Sequence, residues 1–248
     1  MIVRGIVAFV AAWCVCGVAG AHAHEAERFD VSIRLHVDRS ITSRLAKSVL
    51  KEETAGIWRP YGVQIEWPDA GTADAGANGF ALDVTLQPRI EENERLRWTT
   101  VLGSARVDLD APGRPPIRVS VDATESVLTL RKGPGAIAQF VTGRDLARAL
   151  GRVLAHEIGH VLLGAPYHDD AGLMRAAFLP DELAEPDRAL FRLTCTDVAR
   201  LNARLHVLTG DPRFARRLGW MGPEPAGGSY GIEGQELRAQ CIPGRTVR

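Results

Sequence analysis

The chain has 248 residues with 30 basic and 30 acidic side chains, so it carries no formal net charge, and no Lys/Arg block stands out. That balance argues against nucleic acid or an anionic membrane as a partner. The length suits one domain large enough to bury a core.

Arg4 precedes an uncharged apolar run over residues 6–18, followed by the small residues Ala19-Gly20-Ala21 and Ala21-His22-Ala23. This is the layout of a secretory signal peptide, so residues 1–23 are expected to be removed and the protein to be secreted or periplasmic. The run is shorter than the roughly 20 residues that cross a bilayer, and no later segment is apolar enough. No membrane span is therefore expected in the mature chain. Of four cysteines, Cys14 and Cys16 fall in the signal segment. Cys195 and Cys241 remain, and an oxidising compartment makes a disulfide between them the simplest expectation, with two free thiols as the alternative.

Residues 29–37 alternate apolar and polar, the period of a half-buried strand. Thr42 or Ser43 opens a helical stretch through Leu45, Val49, Leu50 and Ile57 that ends near Pro60 and Gly62. Residues 63–67 alternate again. A Gly/Ala/Asp loop at 69–79 leads to a strand at 80–86. Further strands are predicted at 101–107 and 117–121, either side of a turn-rich 110–116 segment. The order predicts a mixed sheet with a helix packed on it.

The next helix has the clearest punctuation. Thr142 is a suitable N-cap with Asp145 three residues on, Gly164 is a left-handed C-terminal cap, and Pro166 forbids continuation. Leu150, Leu154, Ile158 and Val161 form an apolar stripe roughly opposite His156 and His160, and Leu146, Val153 and Leu163 flank the histidine side, so the helix is predicted to be buried on most of its circumference. After Met174 the chain reads as irregular through Pro180, Glu185 and Pro186. A third helix is predicted over 196–208. Residues 24–209 read as one domain and 210–248 as a Gly/Pro-rich extension, whose one apolar island is at 219–222.

Within the buried helix stands His156-Glu157-Ile158-Gly159-His160, an H-E-x-x-H segment. Spacing of four residues puts two imidazoles on one face, one turn apart, where both reach a single zinc ion. Glu157 lies about 100° further round, near enough to act on a water at the metal without being a ligand. Burying two imidazoles and a carboxylate unpaired would cost several kcal/mol, and a metal provides the partner. A catalytic zinc takes three protein ligands and keeps one position for water. The third must come from beyond the helix, where His168, Asp169, Asp170, Glu182 and Glu185 all offer donor atoms.

The run from His156 through Gly164 and His168 to Gly172-Leu173-Met174 resembles the metzincin metallopeptidases: two helix histidines, a turning glycine, a third histidine and a methionine turn. In that pattern the glycine and the third histidine follow at gaps of three, whereas both gaps here are four. The resemblance implies an α+β zincin-type fold for residues 24–209: a mixed twisted sheet with a backing helix, an active-site helix and a C-terminal helix. It implies that His156, His160 and His168 hold Zn2+, that Glu157 is the general base, and that Met174 packs beneath the metal. It also implies that Leu102, Gly103, Ser104 and Ala105 form an edge strand that takes an extended peptide by strand addition.

The expected activity is that of a secreted, monomeric zinc endopeptidase acting on protein or peptide substrates. The alternatives are a non-catalytic zinc-containing binding protein on the same fold and a zinc hydrolase of non-protein amides such as cell-wall peptides. An intact Glu157 speaks against the first alternative, since a structural site needs no such carboxylate and prefers a fourth protein ligand.

Overall fold

A computed structural model describes residues 28–68, 80–90, 101–107, 115–130, 141–209 and 242. The expected signal peptide, the 69–79 loop, most of the 110–116 turn segment, the 219–222 island, Cys241 and nearly all of the 210–248 extension lie outside the described residues.

Five strands form one sheet: β1 (Phe29–Val37), β2 (Val63–Glu66), β3 (Phe80–Gln87), β4 (Gly103–Ala105) and β5 (Pro116–Ser120). Their order is β2-β1-β3-β5-β4. The first four in that order run parallel, and β4 lies antiparallel to β5 at one edge. The sheet is therefore mixed, and the helices make the fold a mixed α/β one. Register aligns the apolar residues in rows: Val37 opposes Leu86, Leu86 opposes Val119, and Val119 opposes Gly103. Because side chains alternate between faces, each such row lies on one side of the sheet. Val31, Ile33, Leu82, Val84, Leu86, Ile117 and Val119 are fully buried.

Against the sheet pack α1 (Lys47–Trp58) and α3 (Gly143–Leu163), which also pack on each other. Helix α1 contacts β2 and α3 contacts β4 and β5. The remaining helices α2 (Val121–Thr129), α4 (Pro180–Ala184) and α5 (Cys195–Thr209) all contact α3, which is thus the hub of the helical layer. Its ends are as the sequence reads them. Thr142 and Asp145 form a reciprocal capping box, and Gly164 closes the helix at φ 62°, a left-handed conformation that suits glycine.

The structure revises several expectations. Helix α1 starts at Lys47, and Thr42–Arg44 is a separate single turn. The Ser40 backbone N–H and hydroxyl both donate to the Asp38 carboxylate and the Thr42 hydroxyl donates to the Asp38 carbonyl, local bonds that compete with helix. Val121 does not end a strand; Ser120 accepts from the Ala123 N–H and caps α2, which the sequence reading omits. The segment taken as irregular after Met174 contains α4, begun by Pro180. Helix α5 is one residue longer at each end than predicted.

No described helix is long and apolar enough to cross a membrane. Cys195 is disulfide-bonded, while its expected partner lies outside the described residues. The adjacent Ile242 is tied to the start of α5: it donates to the Leu193 carbonyl (3.1 Å) and accepts from the Cys195 N–H (3.0 Å).

Candidate metal centre

Helix α3 is buried over nearly its whole surface, and His156, Glu157 and His160 are among its buried residues. The polar side chains it carries inward must therefore find partners. For the two histidines, one nitrogen of each ring does so. His156 Nδ1 donates to the Leu173 carbonyl (2.7 Å) and His160 Nδ1 to the Ala165 carbonyl (2.8 Å). With Nδ1 carrying the proton, each Nε2 keeps its lone pair, the tautomer a metal ligand needs. The two Nε2 atoms lie 3.1 Å apart. Two nitrogens at about 2.05 Å from a tetrahedral zinc would be about 3.3 Å apart.

The chain leaves α3 at Gly164 and returns by a loop that the Asp169 N–H closes by donating to the Met174 carbonyl (2.8 Å). This loop carries His168 to the pair: its ring stacks on His156 at 5.2 Å between centroids and stands edge-on to His160 at 4.9 Å. One ligating nitrogen from each of the three rings falls within 4.8 Å of the others, and among the described residues no other group of His, Cys, Asp and Glu clusters in this way. Three imidazoles are the donor set of many zinc sites, so these residues fit that metal. His168 is exposed while the other two are buried, so the cluster opens to solvent on the loop side.

The alternative ligands do not join the cluster. Glu182 receives a bidentate pair from Arg175 (3.0 and 2.7 Å) and the Leu179 N–H (2.7 Å). Asp169 turns toward α5, where the Thr194 hydroxyl lies 3.2 Å away. Asp170 and Glu185 are likewise outside it.

Burial pushes the His156 imidazole down to about 4, against the opposing effect of its bond to Leu173. His160 is lowered for the same reason. Both rings are thus kept neutral and ready to bind a cation at neutral pH.

Two glycines mark how closely the surrounding elements approach. At Gly159 an added Cβ would collide with Met174 Sδ, so the methionine packs directly against α3 between the two histidine positions. At Gly103 an added Cβ would lie 2.6 Å from Glu157 Oε1. The edge strand β4 therefore passes against the carboxylate, and the row Leu86–Val119–Gly103 is what aims position 103 into the helical layer. The Ser120 N–H donates to Leu102 O and the Arg106 N–H to Pro116 O. Since hydrogen-bonded and non-hydrogen-bonded pairs alternate in an antiparallel ladder, Gly103 and Ala105 turn their N–H and C=O groups to the outer edge. Ser104 pairs with Arg118 on the inner side, and Leu102 precedes the strand proper, which is shorter than the predicted 101–107.

Sequence reasoning overlooked two features. Phe178 packs edge-on to His156 (5.6 Å), stacks on Phe191 and carries the Arg175 guanidinium over its ring (4.7 Å). Arg152, fully buried on α3, bonds Glu53 Oε1 (2.8 Å), the Asp187 carbonyl (2.9 Å) and the Glu182 carbonyl. An arginine inside an otherwise apolar helical stripe was the available signal for the second; nothing local marks Phe178.

No family model matches the chain, and no curated protein matches it in sequence. Among solved structures it is similar to a zinc-dependent peptidase from Methanocorpusculum labreanum (strain Z), with TM-score 0.43 and 16% identity over 68% of this chain and 99% of that one. It is also similar to an archaemetzincin from Methanopyrus kandleri, with TM-score 0.43 and 16% identity over 74% of this chain and 98% of that one. Likenesses this distant carry no functional argument.

Proposed function

We propose that this protein is an exported zinc-dependent endopeptidase. The observation that carries the reading is the convergence of His156, His160 and His168 on one point, with Glu157 beside them against β4, the outermost strand among the described residues.

His156, His160 and His168 would hold the metal, two of them oriented by backbone carbonyls. When bound, zinc supplies Lewis acidity, lowering the pKa of a water toward about 7 and polarising the scissile carbonyl. Glu157, one residue after His156 and against Gly103, takes the proton from the attacking water and returns it to the leaving amine. Gly103 and Ala105 offer outward N–H and C=O groups to an extended peptide, so Leu102, Gly103, Ser104 and Ala105 bind substrate by strand addition. The lack of a side chain at 103 lets the strand that would receive the peptide lie against Glu157. Met174 holds the floor of the site by filling the space at Gly159 and is not a ligand.

Export rests on the signal-peptide layout of residues 1–23. Cys241 is the natural partner of the disulfide at Cys195, because the next residue, Ile242, is already paired with Leu193 and Cys195. The catalytic domain is assigned to 24–209 and the tail to 210–248, and the protein acts as a monomer.

Cleavage of an unfolded protein such as casein by the zinc-loaded mature chain is the direct test. Glu157→Gln is expected to lower turnover by about 10²–10⁴-fold while keeping the metal. A wild type that holds zinc but cleaves no peptide would favour the binding-protein alternative, and cleavage confined to cell-wall peptides would favour the other.

A further inference from the structure

His156 and His160 are each oriented by a carbonyl, but His168 sits on the exposed side of a loop that is longer than the metzincin pattern on both sides of Gly164. Both sequence neighbours of His168 are held by one side chain of α5. The Arg200 guanidinium lies over the Tyr167 ring at 4.6 Å from its centroid. Its Nη1 is 4.0 Å from Asp169 Oδ1 and 3.4 Å from Asp197 Oδ1. The Thr194 hydroxyl lies within hydrogen-bond reach of both Asp169 Oδ2 (3.2 Å) and Asp197 Oδ2 (2.8 Å), which ties the same loop to the N-terminus of α5.

One turn further along α5, Arg204 continues this face. Its Nε would be 3.0 Å from a Cβ at Gly164, so it lies against the start of the loop. Residues four apart share a helix face. Arg204 at Gly164 and Arg200 at Tyr167 and Asp169 therefore follow the loop from its beginning to the residues either side of His168.

We infer that Arg200 is the positioning residue of the third metal ligand, clamping Tyr167 and Asp169 to α5 so that the His168 ring meets His156 and His160. The inference deepens the zinc reading and rests on it. Singly, each contact is modest, because the arginine is 40% exposed and its ion pairs are partly screened. Their effect lies in acting on both sides of one residue, since a ligand whose flanks are fixed loses less freedom on binding the metal. Supports of this kind, which hold a ligand without touching the metal, are worth about 10–100-fold in affinity.

Cobalt(II), whose visible absorption reports tetrahedral three-nitrogen coordination, separates the possibilities in titrations of the metal-free protein. Arg200→Ala is expected to bind Co(II) at least about tenfold more weakly than wild type, with an altered visible spectrum. Arg200→Lys, which keeps the charge but not the planar stack on Tyr167, should fall between them and serves as the test if Arg200→Ala does not fold. Co(II) binding by both variants with wild-type affinity and spectrum would overturn the clamp. His168→Ala, run alongside, keeps the two failures apart. If it weakens Co(II) binding and the Arg200 variants do not, only the clamp is wrong. If it has no effect, or the wild type binds no Co(II), the three-histidine site itself fails and the clamp with it.

Discussion

Helix α3 carries two polar insertions into the core, one turn apart, and they are satisfied in different ways. Arg152 has protein partners throughout: the Glu53 carboxylate, the carbonyls of Glu182 and Asp187, and the Phe191 ring beneath its guanidinium at 4.3 Å. It fastens α1 and α4 to α3, and Arg188 completes the cluster by donating to the other Glu53 oxygen (3.0 Å). His156 and His160 use protein partners for one nitrogen only and point the other at a shared locus with His168. A buried charge each of whose three nitrogens ends on protein is architecture. Buried side chains that satisfy half their groups with protein and converge the rest are arranged to hold something.

The sharpest way to break that contrast is Arg152→Ala. It leaves Glu53 short of one partner and two carbonyls without donors, and should cost about 3–5 kcal/mol of stability in chemical denaturation. The folded fraction should still bind metal as wild type does; a selective loss of metal affinity would make Arg152 part of the site.

Gly159→Ala probes the packing between the histidines. The added methyl meets Met174 Sδ, so we expect about 1–3 kcal/mol of destabilisation. Met174→Ala should relieve part of it in a double-mutant cycle, and strict additivity would mean that the two residues do not press on each other.

A smaller, pH-dependent effect concerns the loop's anchor. Burial, helped by the neighbouring Asp169, pushes the Asp197 carboxyl up to about 6 from an ordinary 3.8. A raised folded-state pKa means that the group's favourable contribution is complete below about 4 and is lost as pH rises through about 6. Asp197→Asn removes this dependence, so its stability relative to wild type should improve between pH 4 and pH 6. A difference that is flat, or that runs the other way, would show that Asp197 is already ionised at low pH.

Much of the fold was legible because its signals are local. Thr142, Asp145 and Gly164 give the ends of α3, and alternation gives β1, β2 and β3. The i, i+4 histidines and Glu157 are likewise fixed by one helix. The elements missed, α2 and α4, are short, and their caps compete with strand and loop readings of the same residues. The choice of His168 over Glu182 and Asp169 was open in the sequence because it depends on distant partners. Arg175 occupies Glu182, and Thr194 with Arg200 draws Asp169 away. Gly103 against Glu157 is likewise a matter of sheet register, which no single segment encodes.

If three histidines hold one zinc ion, metal content after exposure to zinc and exhaustive dialysis reports it without recourse to any substrate. We expect one zinc per chain in the wild type and in Glu157→Gln, and a marked loss in His156→Ala, His160→Ala and His168→Ala. A wild type that retains no zinc, or histidine variants that retain it in full, would contradict it.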